Sequence, residues 1–263
     1  QVTGPTGAGK TTTLYAFLRK VYSEDINIIT IEDPIEYHIK GITQTQTNTE
    51  KGYTFADGLR SILRQDPDVI LVGEIRDQET AEISVQSSLT GHLVLSTLHT
   101  NNAAGVIPRM IDLGVNPKIL VSALSLAMAQ RLVRILCKEC KKEKMPTEEE
   151  SKTIQNVLSS MKEEGKNLTS HGLAENPEIK LFTPVGCEKC NHTGYRGRIG
   201  IFEAILNDQE IEKIIPENPS EREIKQIAKK QGILSMRQDG VIKILKGITS
   251  FEEVLSVVDL NVE

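Results

Sequence analysis

Apolar positions along the chain follow two different periods. Short, nearly unbroken aliphatic runs at Ile26–Ile31 (INIITI), Val69–Val72 (VILV) and within Gly91–His99 (GHLVLSTLH) read as strands covered on both faces, the habit of a parallel sheet. Helical spacing predicts helices over 12–21, 55–65, 101–113, 118–133 and 147–162, followed by a tail of helices at 221–231, 236–246 and 251–258. Thr147 and Glu150 have capping-box spacing, and Ile154, Val157, Leu158 and Met161 form one stripe that reads as local core rather than a docking face. Gly232 and Gly247 fall where helix C-caps favour glycine. The longest nearly apolar stretch, Ile119–Ala129, is far short of the ~20 residues of a membrane-spanning helix, so no membrane insertion is predicted.

Composition narrows the class. The 263 residues suggest between one and two domains at about 150 residues each. With 38% hydrophobic and 25% charged residues, the chain reads as an ordinary globular protein and not a disordered one. A net charge of −5, with 4% aromatics and no Trp, disfavours binding nucleic acid or acidic membranes through overall charge and leaves only a local basic patch as a route.

Chemistry enters at the first residues. Gly4-Pro5-Thr6-Gly7-Ala8-Gly9-Lys10-Thr11 fits the phosphate-loop pattern, in which glycines let backbone N–H groups curl around phosphate oxygens. Lys10 would reach the β- and γ-phosphates of ATP, Thr11 would offer its hydroxyl to Mg²⁺, and Thr12 opens a helix whose N-terminal dipole faces the anion. The strand that should present this loop is reduced to Gln1-Val2-Thr3, so the chain is expected to be an interior cut from a longer one.

A short glycine pattern also arises by chance, and three further places supply context. The first apolar run ends in Glu32-Asp33-Pro34-Ile35-Glu36, carboxylates at the strand end where open α/β sheets bind ligands. The second delivers Gly73-Glu74-Ile75-Arg76, and Glu74 is the metal-side candidate. The third carries His99 at its ligand-facing end and His92 roughly 20 Å away, where a structural role and a functional one are equally open.

GPTGAGKTTT, ITIEDPIEY, LRQDPDVILVGEIRD and TGHLVLSTLHTNNA together resemble the secretion and pilus motor ATPases, that is, type II secretion and type IV pilus assembly ATPases. They match, in order, that family's Walker A, Asp box, Walker B and His box over essentially the whole chain. The resemblance implies an α/β fold: a RecA-like P-loop NTPase core, a tetracysteine zinc subdomain and a helical C-terminal region. It implies Glu36 as the catalytic glutamate polarising water, Glu74 as the Walker B residue, and His99 and His92 as the His-box pair. Arg60, Arg64 and Arg76 become candidates for contacting phosphates, against the alternative of solvent-facing or salt-bridged arginines. The family works as homo-hexameric rings at the cytoplasmic face of the membrane, driving a platform protein that assembles pilin or pseudopilin. Poor hydrolysis by this stretch alone is expected.

All four cysteines fall in two C-x-x-C pairs, Cys137/Cys140 and Cys187/Cys190, the spacing of a closed tetrahedral Zn²⁺ site. The 46 residues between the pairs must then form their own subdomain. Redox disulfides compete with this reading, although a catalytic thiol pair needs no duplicate, and His192 as a substitute ligand is disfavoured by the complete thiol set. The family resemblance agrees and favours assembly or export over retraction. The expected domains are 1–136 for the ATPase core, 137–198 for the zinc subdomain and 199–263 for the helical region. Two rivals remain: a hexameric nucleic-acid or conjugation-type motor, which should carry a basic, aromatic channel, and a zinc-centred binding module with a degenerate nucleotide fold, which should have lost motif residues.

Overall fold

The computed structural model describes residues 1–260. In chain order the elements are β1 (Val2–Thr3), α1 (Lys10–Val21), β2 (Ile28–Glu32), β3 (Thr43–Gln46), α2 (Phe55–Ile62), β4 (Val69–Val72), α3 (Gln78–Leu89), β5 (Leu93–Leu98), α4 (Val106–Asp112), α5 (Pro117–Ala123) and β6 (Leu126–Leu136). They continue with β7 (Lys142–Lys144), α6 (Glu148–Glu163), β8 (Leu181–Thr183), β9 (Tyr195–Leu206), α7 (Gln209–Ile214), α8 (Glu221–Ala228), α9 (Met236–Leu245) and α10 (Phe251–Leu255). Among the described residues no helix is long and apolar enough to cross a membrane.

Two compact units emerge, one comprising 1–129 with 205–228 and the other 130–204 with the segment from Lys229 onward. In the first, strands run in the order β3-β2-β4-β5-β1-β6, and each paired neighbour is parallel. Every residue of β2 and β4 is buried, as continuous apolar runs require when helices cover both faces of a parallel sheet. A parallel sheet gathers all strand C-termini at one edge, and the order puts those of β4, β5 and β1 side by side.

The second unit contains the rest of β6, which β9 accompanies, the antiparallel pair β7/β8, and helices α6, α9 and α10. The capping box of α6 forms as the spacing predicts, with Glu150 N–H donating to Thr147 Oγ1 (3.2 Å) and Thr147 N–H to Glu150 Oε2 (2.8 Å). Ile154, Val157, Leu158 and Met161 are buried.

Three expectations need correction. Residues 118–133 are not one helix: α5 stops at Ala123, Leu124 is extended, and β6 follows. Met128 N–H donates to the Gln1 carbonyl (2.9 Å), so pairing with β1 overrides an ambiguous apolar spacing. Residues 101–105 form turns rather than the start of a helix, because Asn102 Oδ1 captures the Gly105 N–H (2.9 Å). The region from 199 onward is not purely helical, since β9 runs to Leu206.

Ion pairs in the second unit give it a pH dependence. Lys144 Nζ bonds Glu150 (2.7 Å) and Glu252 (2.9 Å), Arg134 bonds Glu253, and buried Lys166 bonds Glu164 (2.7 Å). Burial works to raise Glu150, Glu252 and Glu164, but hydrogen bonds from Lys144, and from Lys166 and Gln238, outweigh it; the Arg134 guanidinium dominates at Glu253. All four therefore titrate below the usual carboxylate range. Groups depressed in the folded state stabilise it above the unfolded value, about 4.3, and lose that contribution as pH falls through the folded values. Thermal melts between pH 7 and 3 should show a midpoint that drops by roughly 5 °C or more below about pH 4. The Lys144→Met variant should lose part of that slope, and an identical slope in both proteins would count against this assignment.

Candidate functional site

The loop between β1 and α1 is shaped by its glycines. Gly4, Gly7 and Gly9 have φ of 146°, 78° and 85°, and Gly9 caps α1 with no side chain of its own, which leaves the first helical N–H groups facing outward. Lys10 Nζ arches over the loop and donates to the Gly4 (2.7 Å) and Pro5 (3.1 Å) carbonyls. The loop is anchored beneath by Thr3, whose Oγ1 donates to the Leu98 carbonyl (3.0 Å) and accepts the Thr100 N–H (2.8 Å). Pro5, Thr6 and Gly7 are exposed, whereas Ala8 is buried. Thr11 and Thr12 occupy the first turn of α1.

At the adjoining strand ends, Gly73 N–H donates to the Ile31 carbonyl (2.8 Å) and Thr97 Oγ1 to the Gly73 carbonyl (2.7 Å), tying β2, β4 and β5 together. A Cβ on Gly73 would stand 3.2 Å from the Glu32 Cα and the Ile31 oxygen, a tight approach to backbone atoms that glycine avoids. The strap aims Glu74, which is 8% exposed. Its Oε2 lies 2.6 Å from Arg76 Nε and 3.4 Å from His99 Nε2. The register of β4 on β5, Val72 opposite Ser96, brings Glu74 and His99 together. His92 sits at the far end of β5, its Nδ1 bonded to the Ser87 carbonyl (2.9 Å) and Thr90 Oγ1 (3.1 Å).

The acidic segment after β2 divides in two. Asp33 and Glu36 are exposed, while Glu32 is 2% exposed and turned inward. Glu32 accepts hydrogen bonds from the Tyr15 hydroxyl, Thr30 Oγ1 (2.6 Å) and Gln44 Nε2 (3.1 Å). Burial and the Glu32 carboxylate together push the Tyr15 hydroxyl well above its ordinary value. Gln44 Oε1 also accepts the Ile39 N–H (2.7 Å), and Gln46 Oε1 accepts the Ile35 N–H (3.2 Å). Sequence reasoning missed Tyr15 and Gln44; Thr30 and Glu32 share a face by the period of two, but no local signal names their partners.

The arginines separate. Arg76 joins Glu74, whereas Arg60 on α2 pairs with Glu79 at the start of α3 and with Asp57 (3.7 Å), and Arg64 bonds Ser61 Oγ (3.3 Å). Among the described residues neither Arg60 nor Arg64 bonds Glu74 or His99.

The four cysteine sulfurs lie within 4.8 Å of one another. Separations of 3.9 Å (Cys137–Cys187), 3.8 Å (Cys140–Cys190) and 3.7 Å (Cys187–Cys190) are far longer than a disulfide's ~2.05 Å. They match the ~3.8 Å edge of a sulfur tetrahedron around a metal with ~2.3 Å bonds. Gly186 N–H donates to Cys140 Sγ (3.3 Å), and the Cys187 (3.2 Å) and Gly194 (3.3 Å) N–H groups donate to Cys190 Sγ. Burial opposes the Cys190 thiolate, yet these N–H groups prevail and pull the thiol down to about 6. The donor set and spacing fit a tetrathiolate metal.

A family model described as Type II/IV secretion system protein matches residues 1–256. The type II secretion system protein E of Aeromonas hydrophila is 51% identical over 97% of this chain and 48% of its own length. The type IV pilus assembly ATPase TfpB of Acinetobacter baylyi is 47% identical over 99% of this chain and 42% of its own. This chain thus spans about half the length of the curated relatives it matches. Among solved structures, the pilus retraction motor PilT with bound ADP aligns at TM-score 0.67 and 28% identity, covering 98% of this chain and 60% of that one.

Proposed function

The chain belongs to the Type II/IV secretion system protein family, and from that premise we propose that it is the ATP-hydrolysing motor module of a type II secretion or type IV pilus assembly machine. The observation that carries this reading is the edge where the glycine-shaped loop before α1 and the Glu74–Arg76–His99 cluster meet at parallel strand ends. Backbone N–H groups of the loop from Thr6 to Gly9 and the Lys10 ammonium bind the triphosphate. Thr11 and Glu74 would hold Mg²⁺, which supplies charge neutralisation at the β- and γ-phosphates. His99 and Arg76 face the same carboxylate and are suited to register whether a γ-phosphate is present. Glu36 orients the attacking water. Arg60 would need to leave Glu79 to take part.

The four cysteines hold Zn²⁺ as a structural centre, in keeping with sulfur spacings near a tetrahedral edge. A RecA-like core, a homo-hexameric ring and action on a platform protein at the cytoplasmic face of the membrane complete the proposal. They rest on family membership.

The test is made on the full-length protein. The Glu36→Gln variant should bind ATP about as well as the parent and hydrolyse it ~100-fold or more slowly, the scale of losing a positioned proton acceptor. Hydrolysis at the parental rate would remove Glu36 from the mechanism.

A further inference from the structure

Tyr15 belongs to no motif of the phosphate loop, yet it is fully buried on the helix that closes that loop. Its hydroxyl donates to Glu32 and accepts from the Gln44 side chain (3.3 Å), whose Nε2 also donates to the Tyr37 carbonyl (3.3 Å). Glu32 is a buried carboxylate satisfied by neutral donors, and among the described residues no cation pairs with it. Such a group is costly unless its hydrogen bonds are all made, so the hydroxyl and the carboxylate hold each other in one geometry. The ring of Tyr37, one residue beyond Glu36, packs edge-on against Tyr15 with centroids 4.8 Å apart. Gln44 tethers the same segment through the Ile39 N–H.

We propose that Tyr15 is a positioning residue for Glu36: by holding buried Glu32 and Gln44 and packing on the Tyr37 ring, it fixes the acidic loop to the helix that begins at Lys10. The inference rests on the motor reading above and deepens it. Tyr15 lies five positions after Lys10, about 1.4 helical turns, so a shift of α1 at the phosphates reaches the segment around Glu36 through the Tyr15 hydroxyl and ring. Gln44 is the second tether, acting on Ile39 from β3. Glu36 itself is exposed, and its placement depends on these bonds beneath it.

The experiment measures ATP hydrolysis and ATP binding by the full-length protein carrying Tyr15→Phe, Gln44→Leu, Glu36→Gln, and each of the first two combined with the third. Tyr15→Phe should lower kcat about 10- to 100-fold, the cost of a small misplacement of a reacting group, with KM and ATP affinity little changed. Gln44→Leu, which leaves the Tyr15–Glu32 bond in place, should show the same kcat-only defect and guards against a folding failure in the first variant. In the Glu36→Gln background neither change should lower the rate further, because the group they position is gone. Unchanged kcat in both single variants, an equal fold-loss with and without Glu36, or a loss confined to ATP affinity would overturn the positioning role. A parent protein that does not hydrolyse ATP would overturn the motor reading itself, and that outcome is distinct from an active parent with indifferent variants.

Discussion

Replacing Lys10 by Ala in the full-length protein should abolish ATP hydrolysis, lowering the rate by about 10² to 10³-fold or more, the range for deleting one preorganised donor to developing charge. Nucleotide binding should weaken with it, because the same ammonium meets the phosphates in the ground state, and this separates the variant from Glu36→Gln, which keeps binding. The fold should survive. Lys10 donates to the Gly4 and Pro5 carbonyls, one bond part-buried and one exposed, and water can replace it there. The geometry of the loop depends instead on the positive φ of Gly4, Gly7 and Gly9 and on the Thr3 anchor below. Hydrolysis and ATP titrations should be run beside a thermal melt. Retention of more than half the parental rate would sink the phosphate-loop assignment, whereas a collapsed melting transition would show that Lys10 is needed to build the loop.

What the sequence made legible follows how local each signal is. β2 and β4 were readable because an unbroken aliphatic run before a polar turn has few other meanings in a parallel sheet, and their burial is complete. The C-x-x-C pairs were readable as a thiol cluster because the spacing alone sets the two sulfurs of each pair close together. β6 was not, because Leu126–Leu136 is compatible with either period until β1 supplies a backbone ladder. β9 was hidden by Gly197 and Gly200, which weaken strand propensity, and by a burial pattern without clean alternation. The site shows the same division. Glu74 and His99 were marked as ends of apolar runs, but their 3.4 Å approach depends on strand order, and the capture of Arg60 by Glu79 depends on where α3 begins. The Tyr15–Glu32 bond joins residues on different elements and left no pattern at all.

If the four thiolates hold zinc as proposed, removing it should cost the second unit its cooperative fold. About one zinc per chain is expected by elemental analysis. Structural zinc contributes roughly 10–16 kcal/mol of apparent binding energy in small metal-dependent modules, as much as or more than the entire 5–15 kcal/mol of a typical domain. Near the sulfurs the two loops are also joined by the Cys137 N–H bond to the Gly194 carbonyl (2.9 Å), which is weak beside four metal–thiolate bonds. Asn191 and His192 sit at φ of 49° and 59°, a conformation unfavourable for side-chain-bearing residues, and the N–H groups of Gly186, Cys187 and Gly194 point at sulfur rather than at carbonyls. With thiolates unscreened by a metal, mutual repulsion drives protonation or separation, and those N–H groups lose their acceptors. Hydrogen exchange reads this directly: after chelation the Gly186, Cys187 and Gly194 amides should exchange ~100-fold or more faster, while those of β2 and β4 in the first unit keep their protection. Cys190→Ser should imitate chelation, because it removes the sulfur that receives two of the three N–H bonds. Protein without zinc whose melting and exchange are indifferent to chelator would exclude a metal, and the four thiols would then be redox-active or inert.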